Sequence, residues 1–450
     1  MNSQLLNCCI LLLTLISFHG NEDQLHAQTN NGIVFVNVRV FDGQAESLSD
    51  RTSVLVVGNK IVKIGQDIEV ADDAVKIDGN GSTLMPGLID NHWHSMLATI
   101  PQRKLLTSDI GYINVVAAQA SRDTLMRGFT SVRDVGGPVF GLKQAIDEGV
   151  IEGPRIYPSG PFISQTSGHG DFRGATDVPT NPGAPLTYHE RIGVTLIADG
   201  VPEVIKRTRE ALRMGASQIK AMAGGGVSSD YDPLDVTQYT LEEMKAIVDV
   251  AETWNTYVTV HAFTSDSIRQ AVDAGVKCIE HGHLLDEETM KYLADKDVWL
   301  SMQPVLDDED AIPFAEGSIN HEKFLRVADG TDLVYRLARR YKVKLAWGTD
   351  TLFDPELARK QGKQLAKLAR WFSPQEVLKM ATHDNAQLLA LSGERNPYPG
   401  QLGVVAEGAL ADLILVEGNP LEDLNLIVDP EKNFVVIMKD GKIYKNTLKP

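Results

Sequence analysis

Short apolar runs that each end in one conspicuous polar side chain recur along the chain, and stretches of helical periodicity separate them. From 33 to 85 the runs are β-rich (Val34 to Val38, Ser53 to Val57, Lys60 to Ile64) and Asn, Asp and Gly turns divide them, which predicts an all-β segment. Residues 402 to 445 repeat this: Leu413 to Val416 follows the turn at Gly408, and Phe434 to Met438 leads into the turn Lys439-Asp440-Gly441-Lys442. Two half-sheets at opposite ends of a chain can complete one another. Between them strands and helices alternate: strands at Phe129 to Val132, Arg155 to Ser159, Gln218 to Met222, Tyr257 to Val260, Val276 to Glu280, Val298 to Met302 and Val343 to Trp347. Helices are expected over 202–214, 240–253, 264–273, 287–295 and 320–341, and Ser373-Pro374-Gln375-Glu376 is a capping signature with Pro at the first helical position. With the strand before His92 the strands number eight, enough to close a (β/α)8 TIM barrel. The expected division is a leader over 1–27, the N-terminal half of a small β-sandwich over 28–85, an α/β barrel over 86–394, and the C-terminal half of the sandwich over 395–450.

Composition alters this picture little. The 450 residues are 43% apolar and 23% charged, with no low-complexity tract and no short repeat, as in an ordinary globular chain. Sixty acidic residues against 43 basic ones give a formal charge of −17, a field that repels nucleic acid and anionic membrane surfaces, so neither is an expected partner. The apolar run Cys9 to Phe18 and the polar stretch ending Leu25-His26-Ala27 resemble a secretory signal cut after Ala27, although no Lys or Arg precedes the run. A secreted or periplasmic location is therefore expected, with no membrane contact in the mature form. Removal of that leader leaves Cys278 as the one cysteine, so no internal disulfide is expected, and Cys278 reads as a small buried residue.

The chemistry sits at the strand ends. His92 and His94 close Gly87-Leu88-Ile89-Asp90-Asn91; alternate strand residues point the same way, so both imidazoles can hold one metal. Lys220 ends Ser217-Gln218-Ile219, His261 ends Val258-Thr259-Val260, His281 ends Cys278-Ile279-Glu280, and Asp350 ends the run from Leu345 to Thr349. Parallel strands of a barrel bring such residues to one rim. His283 is a competitor for His281, but the Gly282 turn separates the two. An inward lysine among histidines is costly as a cation, and carbamylation by carbon dioxide converts it to an anionic bridge. The low bulk of Ala-Met-Ala-Gly-Gly-Gly after Lys220 suggests room for a substrate. Asp350 is placed to bind a metal and to take a proton as general base.

At these residues the sequence resembles the amidohydrolase superfamily, in its branch with a carboxylated lysine on the fourth strand: Asp90-Asn91-His92-Trp93-His94, Lys220, His261, His281 and Asp350 match its pattern. Met85 to Asp90 and Gly408 to Leu415 look like its barrel entry and returning sandwich. Lys220-Ala-Met-Ala-Gly-Gly-Gly, Gln238-Tyr-Thr-Leu-Glu-Glu and Ile279-Glu-His-Gly are similar to the imidazolonepropionase-related group, which includes Xaa-Pro and Xaa-Arg dipeptidases and ochratoxin-hydrolysing amidases. The resemblance implies two divalent ions, zinc by preference, N6-carboxylysine at Lys220, and hydrolysis of an amide in a dipeptide or N-acyl amino acid by a metal-bridging hydroxide, with Asp350 as general acid and base. His169 and Tyr231 are candidates to stabilise the tetrahedral intermediate, and Arg173 to pair with a substrate carboxylate. Asp134 reads as structural. Two rivals stay open: a mononuclear deaminase or cyclic-amide hydrolase on the same barrel, and an exported metal- or ligand-binding protein without catalysis. The partner implied is a small-molecule or dipeptide substrate, and self-association is left open.

Overall fold

A computed structural model describes residues 32–177 and 185–448; the leader at 1–27 lies outside them. The eight strands expected around the barrel axis form as parallel neighbours. Leu88–Trp93, Phe129–Asp134 and Arg155–Pro158 make one ladder. A second runs Thr195–Ile197, Phe162–Ser164, Ile219–Met222, Val258–Thr264, Cys278–Leu284, Trp299–Met302 and Leu345–Trp347. The third barrel strand joins the two ladders, because a break at Ser159 to Pro161 lets its first half pair with the second strand and its later half, Phe162–Ser164, with the fourth. At the other seam Asp350 N–H donates to His92 O at 2.8 Å, while the Asn385 amide donates to Ile89 O (2.7 Å) and Trp347 O (2.9 Å). The eighth strand can lie this close only because of Gly348, where a Cβ would fall 2.3 Å from His92 N.

The helices form where their pattern predicts, at Val201–Met214, Leu241–Thr253, Ser265–Asp273, Glu287–Asp295 and Ile319–Tyr341. Val204, Thr208, Ala211 and Leu212 illustrate the buried stripe of one of them. Ser373 and Glu376 exchange the reciprocal bonds of a capping box at the start of Pro374–Lys379. The short strands Phe162–Ser164 and Thr195–Ile197 and the helix Ile110–Met126 were not anticipated. The strands carrying His261 and His281 run on to Thr264 and Leu284, so these histidines sit within strands rather than at their ends.

The terminal segments meet in one eight-stranded sheet. Thr83–Pro86 pairs antiparallel with Leu413–Val416, with Pro86 opposite Leu413, and the two halves share a core that includes Phe35, Val54, Leu84, Leu415 and Val436. Beneath the barrel, Arg155 ties the sheet to the third strand through Asp412 (3.0 and 3.2 Å) and Asp440 (2.6 Å). Among the described residues no helix is long and apolar enough to cross a membrane.

Candidate active site

The carboxyl ends of the strands deliver four imidazoles, a lysine and a carboxylate to the floor of one cavity of about 350 Å³. His92 Nε2 lies 3.1 Å and His94 Nε2 3.3 Å from Asp350 Oδ1, and His281 Nδ1 is 3.9 Å from Asp350 Oδ2. Ligand atoms of His92, His281 and Asp350 fall within 4.8 Å of one another. The ring centroid of His261 is 4.5 Å from that of His281, and Lys220 lines the same floor, 2% exposed.

Each imidazole is tethered through one ring nitrogen. His92 Nδ1 meets Glu280 Oε2 at 2.8 Å, His94 Nδ1 the Gly136 carbonyl at 3.0 Å, His281 Nδ1 the Gln303 Oε1 at 2.7 Å, and His261 Nε2 the Gly225 carbonyl at 3.0 Å. His92 and His94 donate outward through Nδ1 and present Nε2 to Asp350 as an acceptor, the arrangement metal-binding histidines adopt, whereas at His281 the tethered Nδ1 is also the nitrogen nearer Asp350. Burial holds His261 and His281 well below the usual imidazole range, which favours the neutral form that binds a metal. At His92 burial is the largest influence and pushes down, but Asp350 and Glu280 together outweigh it and raise the ring; reciprocally, Asp350 stays well below the usual carboxylate range despite its burial. Positive charge is thus favoured between them. Burial lowers Lys220 to about 8 against the opposing pull of Glu280 and Asp350, and its amine forms no hydrogen bond or ion pair among the described residues. The donor set fits divalent cations with a lysine prone to carboxylation.

Backbone strain gathers here too. His281 (φ 79°) and Asp350 (φ 51°) both occupy the left-handed region, at a cost on the order of 1–3 kcal/mol each that surrounding structure must impose. For Asp350 the imposing groups include Asp90, which is fully buried and binds Thr349 through N–H (3.1 Å) and hydroxyl (2.9 Å) as well as the Gln361 amide (2.8 Å).

The loop residues separate sharply. His169 lines the cavity, stacks on His261 at 4.1 Å, and has Nδ1 engaged by Ser229 Oγ (2.7 Å) and near Asp232 (3.3 Å), which leaves Nε2 for a substrate. Tyr231 stands outside the cavity lining with half its surface exposed; only its backbone is engaged, where the carbonyl accepts from Ser167 Oγ. The physical reason is that Lys323 draws the carbonyls of Gly226, Ser229 and Asp232 onto its ammonium, which turns this loop towards the helix Ile319–Tyr341. Arg173 is bound to Asp171, 2.7 Å through Nε, and does not line the cavity, although the neighbouring Phe172 does. The low bulk after Lys220 serves the protein rather than a substrate: a Cβ on Gly226 would meet the His169 ring at 2.0 Å. His283 turns away to the Gln303 carbonyl, and Asp134 caps Ser95 N–H at 2.7 Å. Cys278 is buried and free.

Glu280 and Arg133 carry no signal that the sequence reading used, yet they support the whole floor. Both are fully buried; Arg133 donates to Glu280 Oε1 (2.6 Å), to Asn91 O (2.7 Å) and to the Tyr257 hydroxyl (3.2 Å). The available clue was a pair of charged residues inside otherwise apolar strands, a placement that burial makes expensive unless they pair.

Comparison with known proteins agrees with this geometry. Residues 83–446 match the model of the amidohydrolase family. The ochratoxinase of Aspergillus niger is 33% identical over 426 residues, 90% of this chain and 84% of that protein. A solved prolidase complexed with N-methylphosphonate-L-proline is 34% identical and superposes with a TM-score of 0.85, covering 92% of this chain and all (100%) of that one. A Xaa-Pro dipeptidase crystallised with methionine in its active site is 28% identical with a TM-score of 0.79, again covering 92% and 100%. The chain belongs to the amidohydrolase family and is a hydrolase acting on carbon–nitrogen bonds.

Proposed function

We propose that the chain is an exported, metal-dependent amidohydrolase that cleaves the amide bond of a dipeptide, Xaa-Pro or similar, or of an N-acyl amino acid. The observation that carries this reading is the set of four tethered imidazoles facing Asp350 and Lys220 on one cavity floor. His92, His94 and Asp350 would hold one ion and His261 and His281 a second, with a carboxylated Lys220 between them. Such divalent ions, zinc by preference, would supply Lewis acidity that lowers the pKa of a bound water and polarises the scissile carbonyl.

The protein's own groups supply the rest. Asp350, kept ionised by His92 and His94, accepts a proton from the attacking water and returns it to the leaving nitrogen. His169 Nε2 donates towards the oxygen on which charge develops, with its ring orientation fixed by Ser229 and Asp232. Phe162, Phe172 and Phe263 exclude water from the reacting bond. The named substrates of the ochratoxinase and the prolidases support an amide with a bulky or cyclic flank. Export is supported by the apolar run Cys9 to Phe18 and by Leu25-His26-Ala27, and N-terminal sequencing of fractionated cells checks it.

The test is elemental analysis of protein grown with zinc and bicarbonate, wild type against Lys220→Ala, followed by a screen of dipeptides and N-acyl amino acids. About two metals per chain, falling to one or none in the variant, is the expected result. About one metal in both proteins makes Lys220 a bystander and turns the search to deaminase and cyclic-amide substrates.

A further inference from the structure

The loops after the neighbouring seventh and eighth barrel strands form adjoining parts of the cavity wall, and an ion cluster fastens the first to the helical segment that follows the second. The first loop contributes Ile312, Pro313 and Phe314 to the lining; the second contributes Leu352 and Phe353. Just before Ile312 come four consecutive acids, Asp307, Asp308, Glu309 and Asp310, which would repel one another on an open loop. Shortly after Phe353 come Lys360, Lys363 and Lys367, whose spacing puts them on one face of the helical segment Gln361–Ala366 and its continuation. The three lysines pair with Asp308, Glu309 and Asp310. Lys360 reaches Asp310 Oδ1 at 2.7 Å, Lys363 reaches Asp310 Oδ2 at 2.8 Å and Glu309 at 2.9 Å, and Lys367 reaches Asp308 at 2.8 Å and Asp310 at 3.4 Å.

Asp310 is the centre of the cluster: its carboxylate has no solvent exposure and gathers all three ammoniums. Burial pushes its carboxyl up, but Lys360 and Lys363 hold it down at about 2. Most surface ion pairs contribute little, but a network around a buried acceptor is not screened in the same way. The wall it holds is apolar and partly open. Ile312 is 37% exposed at the mouth, and the Phe314 ring packs 6.2 Å from that of Phe324. Among the described residues, neither Lys nor Arg, apart from Lys220 on the floor, lines the cavity.

We propose that this clasp fixes the loop 303–318 as a specificity wall, so that the site selects amides carrying a bulky, uncharged apolar group, with Asp310 as the positioning residue. The selectivity rests on the amide-hydrolysis reading above; the clasp does not. The ligand-type residues stand on other strands or before the helix, and Gln303, which tethers His281, lies at the strand end of the loop, five residues before the first clasp acid, so loosening the wall from Asp308 onward alters the fit of a large substrate group and leaves the reacting groups in place. A small acyl group does not reach the wall.

Two measurements on the metal-loaded full chain decide it, using Asp310→Asn, Lys363→Met and the double variant. Hydrogen exchange of 303–318 is expected to rise about tenfold in each single variant, while the strands bearing His92, His261 and His281 keep wild-type protection. The double variant is expected to be no worse than Asp310→Asn alone, because both cut the same cluster. For a phenylacetyl and an acetyl amide of one amine, the ratio of kcat/KM is expected to fall about tenfold through KM of the phenylacetyl compound, with kcat on the acetyl compound within about twofold. Unchanged exchange in 303–318 overturns the clasp, and faster exchange with an unchanged ratio overturns its role in selection. Faster exchange in a protein that hydrolyses no amide sinks the amide reading and upholds the clasp.

Discussion

Buried charge is treated in opposite ways at the two ends of the barrel. At the foot, where strands begin, Arg155 is satisfied by Asp412 and Asp440, Asp440 N–H donates to Asp412, and Lys439 donates to the Gly153 carbonyl at 2.7 Å. Each charge has an opposite partner or a carbonyl. At the rim, Lys220 has neither among the described residues, four imidazoles crowd one cavity floor, and His281 and Asp350 hold strained backbone. The foot completes its electrostatics from within the chain, and its charges stabilise. On the proposed function the rim is completed by cations from outside, so its charges are expected to cost stability in the metal-free chain and to serve catalysis. Arg133 and Glu280 lie between these extremes: a paired, fully buried couple whose second carboxylate oxygen reaches up to His92.

The sharpest way to break this contrast is to delete one charge from each end. Lys220→Met is expected to abolish hydrolysis by about three orders of magnitude or more, as losses of groups acting in a unit do. In the metal-free protein the same change should stabilise. Lys220 has its pKa depressed to about 8 from 10.5, so below pH 8 the folded state holds a buried ammonium at a cost of about 3 kcal/mol. Between pH 8 and 10.5 the unfolded chain binds more protons than the folded one, so wild-type stability rises with pH across that window, and the Met variant should lose that rise. Denaturant titrations of chelator-treated protein at pH 7 and pH 10 measure it; a destabilised variant would mean that Lys220 is partnered after all. Asp412→Asn is the mirror image. It leaves Arg155 short of a buried partner, so a loss of about 3 kcal/mol is expected, with kcat within about twofold. Thermal unfolding of the metal-loaded variant beside its steady-state kinetics reads both halves, and a fall in kcat larger than the fall in folded fraction would put the foot in the catalytic unit.

Glu280→Gln probes the boundary. The amide keeps the shape but cannot both accept from His92 and neutralise Arg133, so metal affinity is expected to fall about 10–100-fold, the usual effect of losing a group that orients a ligand. Competition with a chelator measures it; wild-type affinity would separate Glu280 from the site.

These differences explain what the sequence disclosed. The strand-helix alternation, five helices and six ligand-type residues were legible because each repeats a local pattern: an apolar run of strand length, a 3.6-residue stripe, a polar residue in a fixed place. The pairing of Thr83–Pro86 with Leu413–Val416 was legible as two half-sheets needing partners. What stayed hidden depends on contacts between distant residues. Glu280 and Arg133 stand 147 positions apart, and nothing local distinguishes a buried pair from two exposed charges. Phe162–Ser164 is three residues long, too short to show a period, and becomes a strand only because it pairs with Thr195–Ile197 on one side and Ile163 meets Ala221 on the other. The glycines after Lys220 suggested open space, whereas the His169 ring fills it.

The smallest expected effect tests the loop that the sequence treated as uniform. His169 and Tyr231 both follow barrel strands in loops bordering the rim, and both offer a hydrogen-bond donor. The structure separates them by burial and support: His169 is stacked on His261 and held by Ser229, whereas Tyr231 is 51% exposed and its hydroxyl has no partner among the described residues. A donor stabilises a developing charge only if it is preorganised and shielded from water, because an exposed one gains nothing over the solvent it replaces. Tyr231→Phe is therefore expected to change kcat and KM by less than about twofold, while His169→Asn should lower kcat by about 10²–10³, the effect of removing an oxyanion donor. Parallel steady-state kinetics of the two variants on one amide decide it. A loss of kcat in Tyr231→Phe would mean that the loop from 227 to 232 folds inward when substrate binds, against the hold of Lys323 on its carbonyls.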